Sequence, residues 1–177
     1  VRENMNLRAS YGRSIARPTF RELAPFESFE FLGDFQLLGN ANLERTLIDN
    51  AEVRWEWFPG VGEIISLGAF YKNLNQPIER VLTLAQNPQI QFANVPSAQV
   101  YGAEFEIRKG LGIIAQALKN FKVGFNASYI FSEVDISEQE LQQIRAQNPD
   151  AEATRPMFMQ SPYVINARLG YNSQKLG

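Results

Sequence analysis

Phe121-Lys-Val-Gly-Phe-Asn-Ala-Ser-Tyr-Ile-Phe131 has an apolar side chain at every odd position and a polar or small one at nearly every even position. Successive side chains of a strand point to opposite faces, so this segment has one apolar face and one wet face. The same beat recurs at Met5, Leu7, Ala9, Tyr11, at Ala51, Val53, Trp55, Trp57, at Ile65, Leu67, Ala69, Tyr71, and at Tyr163, Ile165, Ala167, Leu169, Tyr171. The pattern predicts strands over residues 4–14, 46–58, 63–73, 98–109, 120–133 and 162–172. Strands of soluble domains average about five to six residues, whereas about ten tilted residues cross a bilayer. These segments have the longer length.

The links between them alternate. Residues 15–45, 74–97 and 134–161 are long links, Pro59-Gly60-Val61-Gly62 is tight, and 110–119 is intermediate with room for a helical turn. In an up-and-down meander, alternate links lie at opposite rims, so the three long ones share a rim. Outer-membrane barrels have that asymmetry, with short periplasmic turns and long extracellular loops. The competing arrangement, a soluble β-sandwich, gives no reason for it. The expected fold is therefore all-β: an antiparallel up-and-down transmembrane barrel segment of about six long strands. On this reading Val53, Trp55, Trp57, Leu67, Phe125, Tyr129 and Leu169 face lipid. Arg8, Glu52, Arg54, Glu56, Glu104, Glu106, Arg108, Asn126 and Arg168 face the lumen, with Asn6 and Asn166 extending the wall.

The long links carry their own signals. Arg17-Pro-Thr-Phe-Arg-Glu-Leu-Ala-Pro-Phe26, followed by Phe29, Phe31 and Phe35, is too apolar for a solvated loop and is expected to pack into the barrel mouth or against other loops. Ser137-Glu-Gln-Glu140 reads as a capping box, with Ser137 at the helix start and Glu140 reaching back. It predicts a short helix over 138–147, closed by Pro149. Ligand-binding candidates in the loops are Arg13, Arg17, Arg21, Phe29, Phe31 and Phe35, because Arg grips anions and exposed rings stack on flat ligands. Salt bridging to another loop is the competing role for Arg13 and Arg17.

Composition narrows the chemistry. The 177 residues carry a net charge of -2 with both signs dispersed, so nucleic acid is not an expected partner. No apolar run is long enough for a membrane-spanning helix. Absence of Cys and His removes thiol catalysis, thiolate metal sites and the commonest zinc ligand. Glu104 and Glu106 could in principle act as a glycosidase acid and base. Their setting among Arg54 and Arg108 reads instead as a lumen wall paired across strands. No catalytic residue, metal ligand or cofactor is expected. The start at Val1-Arg-Glu-Asn lacks a signal-peptide pattern and reads as internal to a longer precursor.

Arg-Pro-Thr-Phe-Arg-Glu-Leu (17–23), Gly-Asn-Ala-Asn-Leu (39–43), Asp-Asn-Ala-Glu-Val-Arg-Trp-Glu (49–56), Ala-Phe-Tyr-Lys (69–72), Val-Tyr-Gly-Ala-Glu-Phe-Glu (100–106) and Thr-Arg-Pro-Met-Phe-Met-Gln-Ser-Pro-Tyr (154–163) resemble, in order and spacing, the barrel of TonB-dependent outer-membrane receptors. Ala41 departs from the Pro common there, which touches only local loop stiffness. The resemblance implies that residues 1–177 are the later part of a larger, 22-stranded, plugged barrel, without its plug domain. It further implies a bacterial outer-membrane location and energy-coupled uptake of a bulky nutrient: a ferric siderophore, cobalamin or a glycan. Implied partners are outer-membrane lipid, the periplasmic energy-coupling protein and the protein's own plug, which the lumen-facing residues would contact and to which Arg13 and Arg17 could salt-bridge instead of binding ligand. A passive porin is the alternative within the same barrel class, and a soluble β-sandwich that binds carbohydrate is the alternative outside it.

Overall fold

The alternating segments form six long antiparallel strands of one sheet. The computed structural model describes residues 4–29, 36–83 and 89–172. In chain order the elements are β1 (Met5–Ala16), α1 (Phe20–Leu23), β2 (Glu27–Phe29), β3 (Gln36–Leu38), β4 (Thr46–Trp57), β5 (Ile64–Asn75), β6 (Ile78–Thr83), β7 (Gln89–Asn94), β8 (Ser97–Gly110), β9 (Phe121–Asp135), α2 (Glu138–Gln147), β10 (Thr154–Arg155) and β11 (Tyr163–Tyr171). The main sheet runs β1-β4-β5-β8-β9, with β11 and the short β10 both on the far side of β9. The barrel is not closed within this chain. The 110–119 link holds two 3-10 turns, at Leu111–Ile113 and Gln116–Leu118.

Register turns the two-residue beat into rows across the sheet. On the apolar face, Tyr11, Ala51, Tyr71, Tyr101 and Phe131 stand side by side. The next row toward the long links is polar: Arg13, Asp49, Asn73, Gln99 and Glu133. In the other direction the rows are apolar through Met5, Trp57, Ile65, Ile107 and Phe125, and the Lys109–Glu63 ion pair follows. From Gln99 to Lys109 the β8 strand advances 10 residues, about 33 Å of strand and about 25 Å of height at a tilt of about 40°. That height matches the apolar band, about 25 Å tall, of outer-membrane barrels.

Burial is inverted relative to a sandwich. Leu7, Leu67 and Leu169 on the apolar face are 65%, 54% and 68% exposed, and no second sheet covers them among the described residues. The clusters of buried apolar side chains lie at the long-link rim instead. One cluster joins Leu37, Leu43 and Phe92 with Leu23, Ile78 and Ile90, and another joins Val95, Ala98 and Val134 with Leu74, Val81 and Met157. Above the strands the first two long links combine into a second sheet, β2-β3-β7-β6, in which β3 and β7 are parallel. The expectation that the first link packs against other loops is met in this way.

Local chemistry explains the rim. Thr19 caps α1 by accepting from the Glu22 amide while the Glu22 carboxylate accepts from the Thr19 amide, a reciprocal capping box. Asn40 Oδ1 accepts from the Asn42 amide at 2.9 Å to make the turn, and Asn40 Nδ2 donates to the Phe92 carbonyl at 3.1 Å. Helix α2 spans the expected residues, but its capping box is half formed. Ser137 Oγ accepts from the Glu140 amide at 3.3 Å, whereas Glu140 Oε2 is buried without a hydrogen bond among the described residues. The Glu140 side chain is drawn into the loop packing near Arg155 and Glu79 rather than back to the cap. Burial pushes its carboxyl above the ordinary range, and Glu79 adds to the rise while Arg155 opposes it.

Two sites in this framework give measurable expectations. A Cβ at Gly102 would meet the Tyr129 carbonyl oxygen and lie 2.8 Å from Phe70 Cζ. Gly102→Ala is therefore expected to destabilise the full-length protein by about 1–3 kcal/mol in denaturant unfolding, and an unchanged midpoint would refute the close approach. At the tight turn, Glu63 accepts from Lys109 Nζ at 2.5 Å and from the Gly110 amide at 3.0 Å. The Lys109 bond, then the Gly110 bond, hold its carboxyl below the ordinary value of 4.5. A lowered carboxylate stabilises the fold above its unfolded-state pKa, and the gain fades as pH falls through the lowered value. Glu63→Gln should abolish that acid-side loss, read as a flatter dependence of unfolding midpoint on pH below about 4.5.

Candidate functional site: a charged strand face beneath a loop pocket

The polar face carries an ion lattice laid across four strands. Arg54 is its centre, donating to Glu106 at 2.9 Å, to Glu56 at 3.1 Å and to Ser66 Oγ at 3.0 Å, with Glu104 3.9 Å away. Arg54, Gly68 and Glu104 share a row, so the missing side chain at Gly68 lets the guanidinium of β4 cross β5 and reach β8. Arg108 pairs with Glu106 at 3.0 Å, and Arg8 approaches Glu56 at 3.1 Å. The Arg8 approach is off-angle, leaving Glu56 Oε2 buried without a hydrogen bond. Asn166 Nδ2 donates to Asn126 Oδ1 at 2.8 Å, and Glu52 borders a hollow with Lys72 and Glu104. Among the described residues every carboxylate of the lattice except Glu52 has a cation within ion-pair distance, an arrangement of charge pairing across neighbouring strands.

The second feature lies at the rim, where all three long links meet. A hollow of about 330 Å³ is bordered by Thr19, Arg21 and Glu22 of the first link, Glu79, Arg80 and Phe92 of the second, and Phe158 of the third. The Arg80 guanidinium carbon lies 5.8 Å from the Phe92 ring centre and 5.2 Å from that of Phe158, within cation–π range. Arg155 braces the wall, donating to Glu79 at 3.3 Å and to the Arg80 carbonyl at 3.4 Å.

The sequence-level candidates fall unevenly on these features. Arg21 borders the rim hollow. Arg17 is exposed just past β1. Arg13 is not a loop residue: it sits in β1 on the apolar-face parity, donating to Asp49 at 2.7 and 2.9 Å, and Tyr11 donates to the same carboxylate at 2.7 Å. Its charge is taken up by a strand neighbour, which removes it from the loop set. Phe29 ends β2, and Phe31 and Phe35 lie outside the described residues. Arg80, Phe92 and Phe158 were not singled out from sequence. A short two-residue beat at Gln89-Ile-Gln-Phe92 was the available signal for Phe92, whereas Ile78-Glu-Arg-Val-Leu-Thr83 has no such alternation to mark Arg80.

A meander of long strands with an exposed apolar band, a charged opposite face and folded long links defines an outer-membrane β-barrel wall. The family model "TonB dependent receptor-like, beta-barrel" matches residues 1–177, and the chain belongs to that family, whose members are outer-membrane receptors of Gram-negative bacteria. Among solved structures it is similar to a single-residue mutant of the ferric enterobactin receptor PfeA of Pseudomonas aeruginosa in complex with enterobactin, at 18% identity, covering 98% of this chain and 24% of that one, with a TM-score of 0.61. It is also similar to the siderophore receptor PirA of the same organism, at 20% identity, covering 76% of this chain and 24% of that one, with a TM-score of 0.55. The chain thus spans about a quarter of the length of these structures. No curated protein sequence matches it.

Proposed function

We propose that residues 1–177 are a partial barrel domain of an outer-membrane receptor for energy-coupled uptake of a bulky nutrient, with a ferric siderophore as the favoured cargo. The observation that carries the cargo assignment is the rim hollow, where Arg21 and Arg80 converge with Phe92 and Phe158 from three different links. Guanidinium groups beside aromatic rings suit an anionic chelate with flat donor groups. Structural similarity to a siderophore receptor and a ferric enterobactin receptor supports the choice of cargo. In this reading the polar face lines the lumen and holds a plug, and a periplasmic partner acts on that plug. The apolar face contacts lipid through Val53, Trp55, Trp57, Leu67, Phe125, Tyr129 and Leu169.

The test is equilibrium binding to the full-length protein in detergent, using a ferric catecholate, a ferric hydroxamate, cobalamin and a neutral oligosaccharide. A ferric chelate should bind, and Arg80→Ala should weaken it about tenfold or more. Binding of cobalamin or the oligosaccharide alone, unchanged by Arg80→Ala, would reassign the cargo.

A further inference from the structure

Behind the rim hollow, two links bring two carboxylates to one guanidinium. Arg155 of β10 donates to the Glu79 carboxylate of β6 at 3.3 Å and to the Arg80 carbonyl at 3.4 Å. Glu79 is buried and borders the hollow. The second carboxylate is Glu140 of α2, whose Oε2 is enclosed without a hydrogen bond among the described residues. Its position follows from the half-formed cap. Ser137 Oγ takes the Glu140 amide, and the Glu140 side chain is left free to turn into the loop packing.

The charges around Glu140 are unequal. Among the described residues, those acting on its carboxyl are Arg155 and Glu79. On its own helix Glu138 is exposed and Arg145 donates to the Ala151 carbonyl, while Asp135 at the end of β9 accepts from Ser97. Arg155 is thus the counter-charge for two carboxylates, and its ion pair is with Glu79. Burial outweighs its pull and favours the neutral acid at Glu140. When Glu140 is ionised, Arg21, Arg80 and Arg155 at the hollow and its wall are matched by Glu22, Glu79 and Glu140. When Glu140 is protonated, positive charge is in excess, and an anion in the hollow meets an attractive wall that a packed loop junction screens less than open solvent does.

We propose that Glu140 links anion binding in the rim hollow to the uptake of a proton. The inference rests on the receptor reading above and adds a control to the same hollow. The proton comes from the solvent buffer and adds to a Glu140 carboxylate oxygen, turning carboxylate into carboxyl. By linkage, an anion that binds the protonated form more tightly raises the proton affinity of Glu140 in return. Anionic cargo is therefore held more tightly as pH falls toward the titration of Glu140, which lies above the ordinary 4.5. A neutral cargo is indifferent.

The test is equilibrium binding of an anionic ferric tris-catecholate and a neutral ferric trihydroxamate to the full-length protein in detergent, with Glu140→Gln as the uncharged counterpart. At about pH 7.5 the wild-type Kd for the catecholate should be about fivefold weaker than that of Glu140→Gln, and by about pH 5.5 the gap should narrow. The ratio to the variant removes any titration of the chelate itself, and for the hydroxamate it should stay flat. A second measurement needs no variant: in weakly buffered solution, wild-type protein should take up protons on binding the catecholate and none on binding the hydroxamate. Matching pH profiles of wild type and Glu140→Gln, or equal proton uptake with both chelates, would overturn the linkage and leave the receptor reading standing. Failure of every ferric chelate to bind at either pH would overturn both.

Discussion

Arg54→Met is expected to destabilise the full-length protein by about 3 kcal/mol, measured as urea unfolding in detergent or vesicles. Removing one member of a buried ion pair is costly because the partner is left charged and dry. Here the stranded group is Glu56, whose side chain is 7% exposed and whose Oε2 already lacks a hydrogen bond. Arg8→Met touches the same carboxylate from a side chain that is 66% exposed, where solvent screens the pair, and should cost under about 1 kcal/mol. The Arg54→Met, Glu56→Met double variant should recover part of the loss, since both charges leave together. Equal effects of the two single arginine variants would mean that the lattice is a solvated wall with no centre.

Ala103→Arg is expected to cost about 2–4 kcal/mol of folding stability in lipid, the value for a cation near the middle of the bilayer on a barrel's outer face. Ala103 lies between Gln99 and Lys109, the polar limits of the apolar band along β8. Two controls separate depth from chemistry. Gln99→Arg, in the polar row, should cost no more than about 1 kcal/mol. Ser128→Arg is at the same depth on the opposite face, where it stands beside Glu104 in the register, and should be close to neutral. A penalty for Ser128→Arg equal to that for Ala103→Arg would show that the two faces have been assigned the wrong way round.

The six long strands and α2 were legible because each is defined by a local period over nine or more residues. The meander also followed, since alternating link lengths leave few other ways to connect them. The rim sheet was not legible. Its strands are three to six residues long, and β3 pairs with β7 in parallel across some fifty residues of chain, a contact no local pattern announces. The loop site shifted for the same reason. Arg13 falls inside the expected strand 4–14 yet stands among the loop candidates for its charge, and the register sets it opposite Asp49 within the sheet.

What the sequence determined by itself is therefore the wall: which segments are strands, which residues share a face, and that one face is apolar along its length. Those properties depend on a two-residue geometry that every strand obeys. Only the tertiary structure decided which charges meet and what the long links build. Arg54 finds Glu106 because β5 presents Gly68 between them. Arg80 lies within cation–π reach of Phe92 and Phe158 because separate links converge above the strands. Such meetings depend on register and on packing between distant segments, and the identity of neighbouring residues along the chain does not specify either.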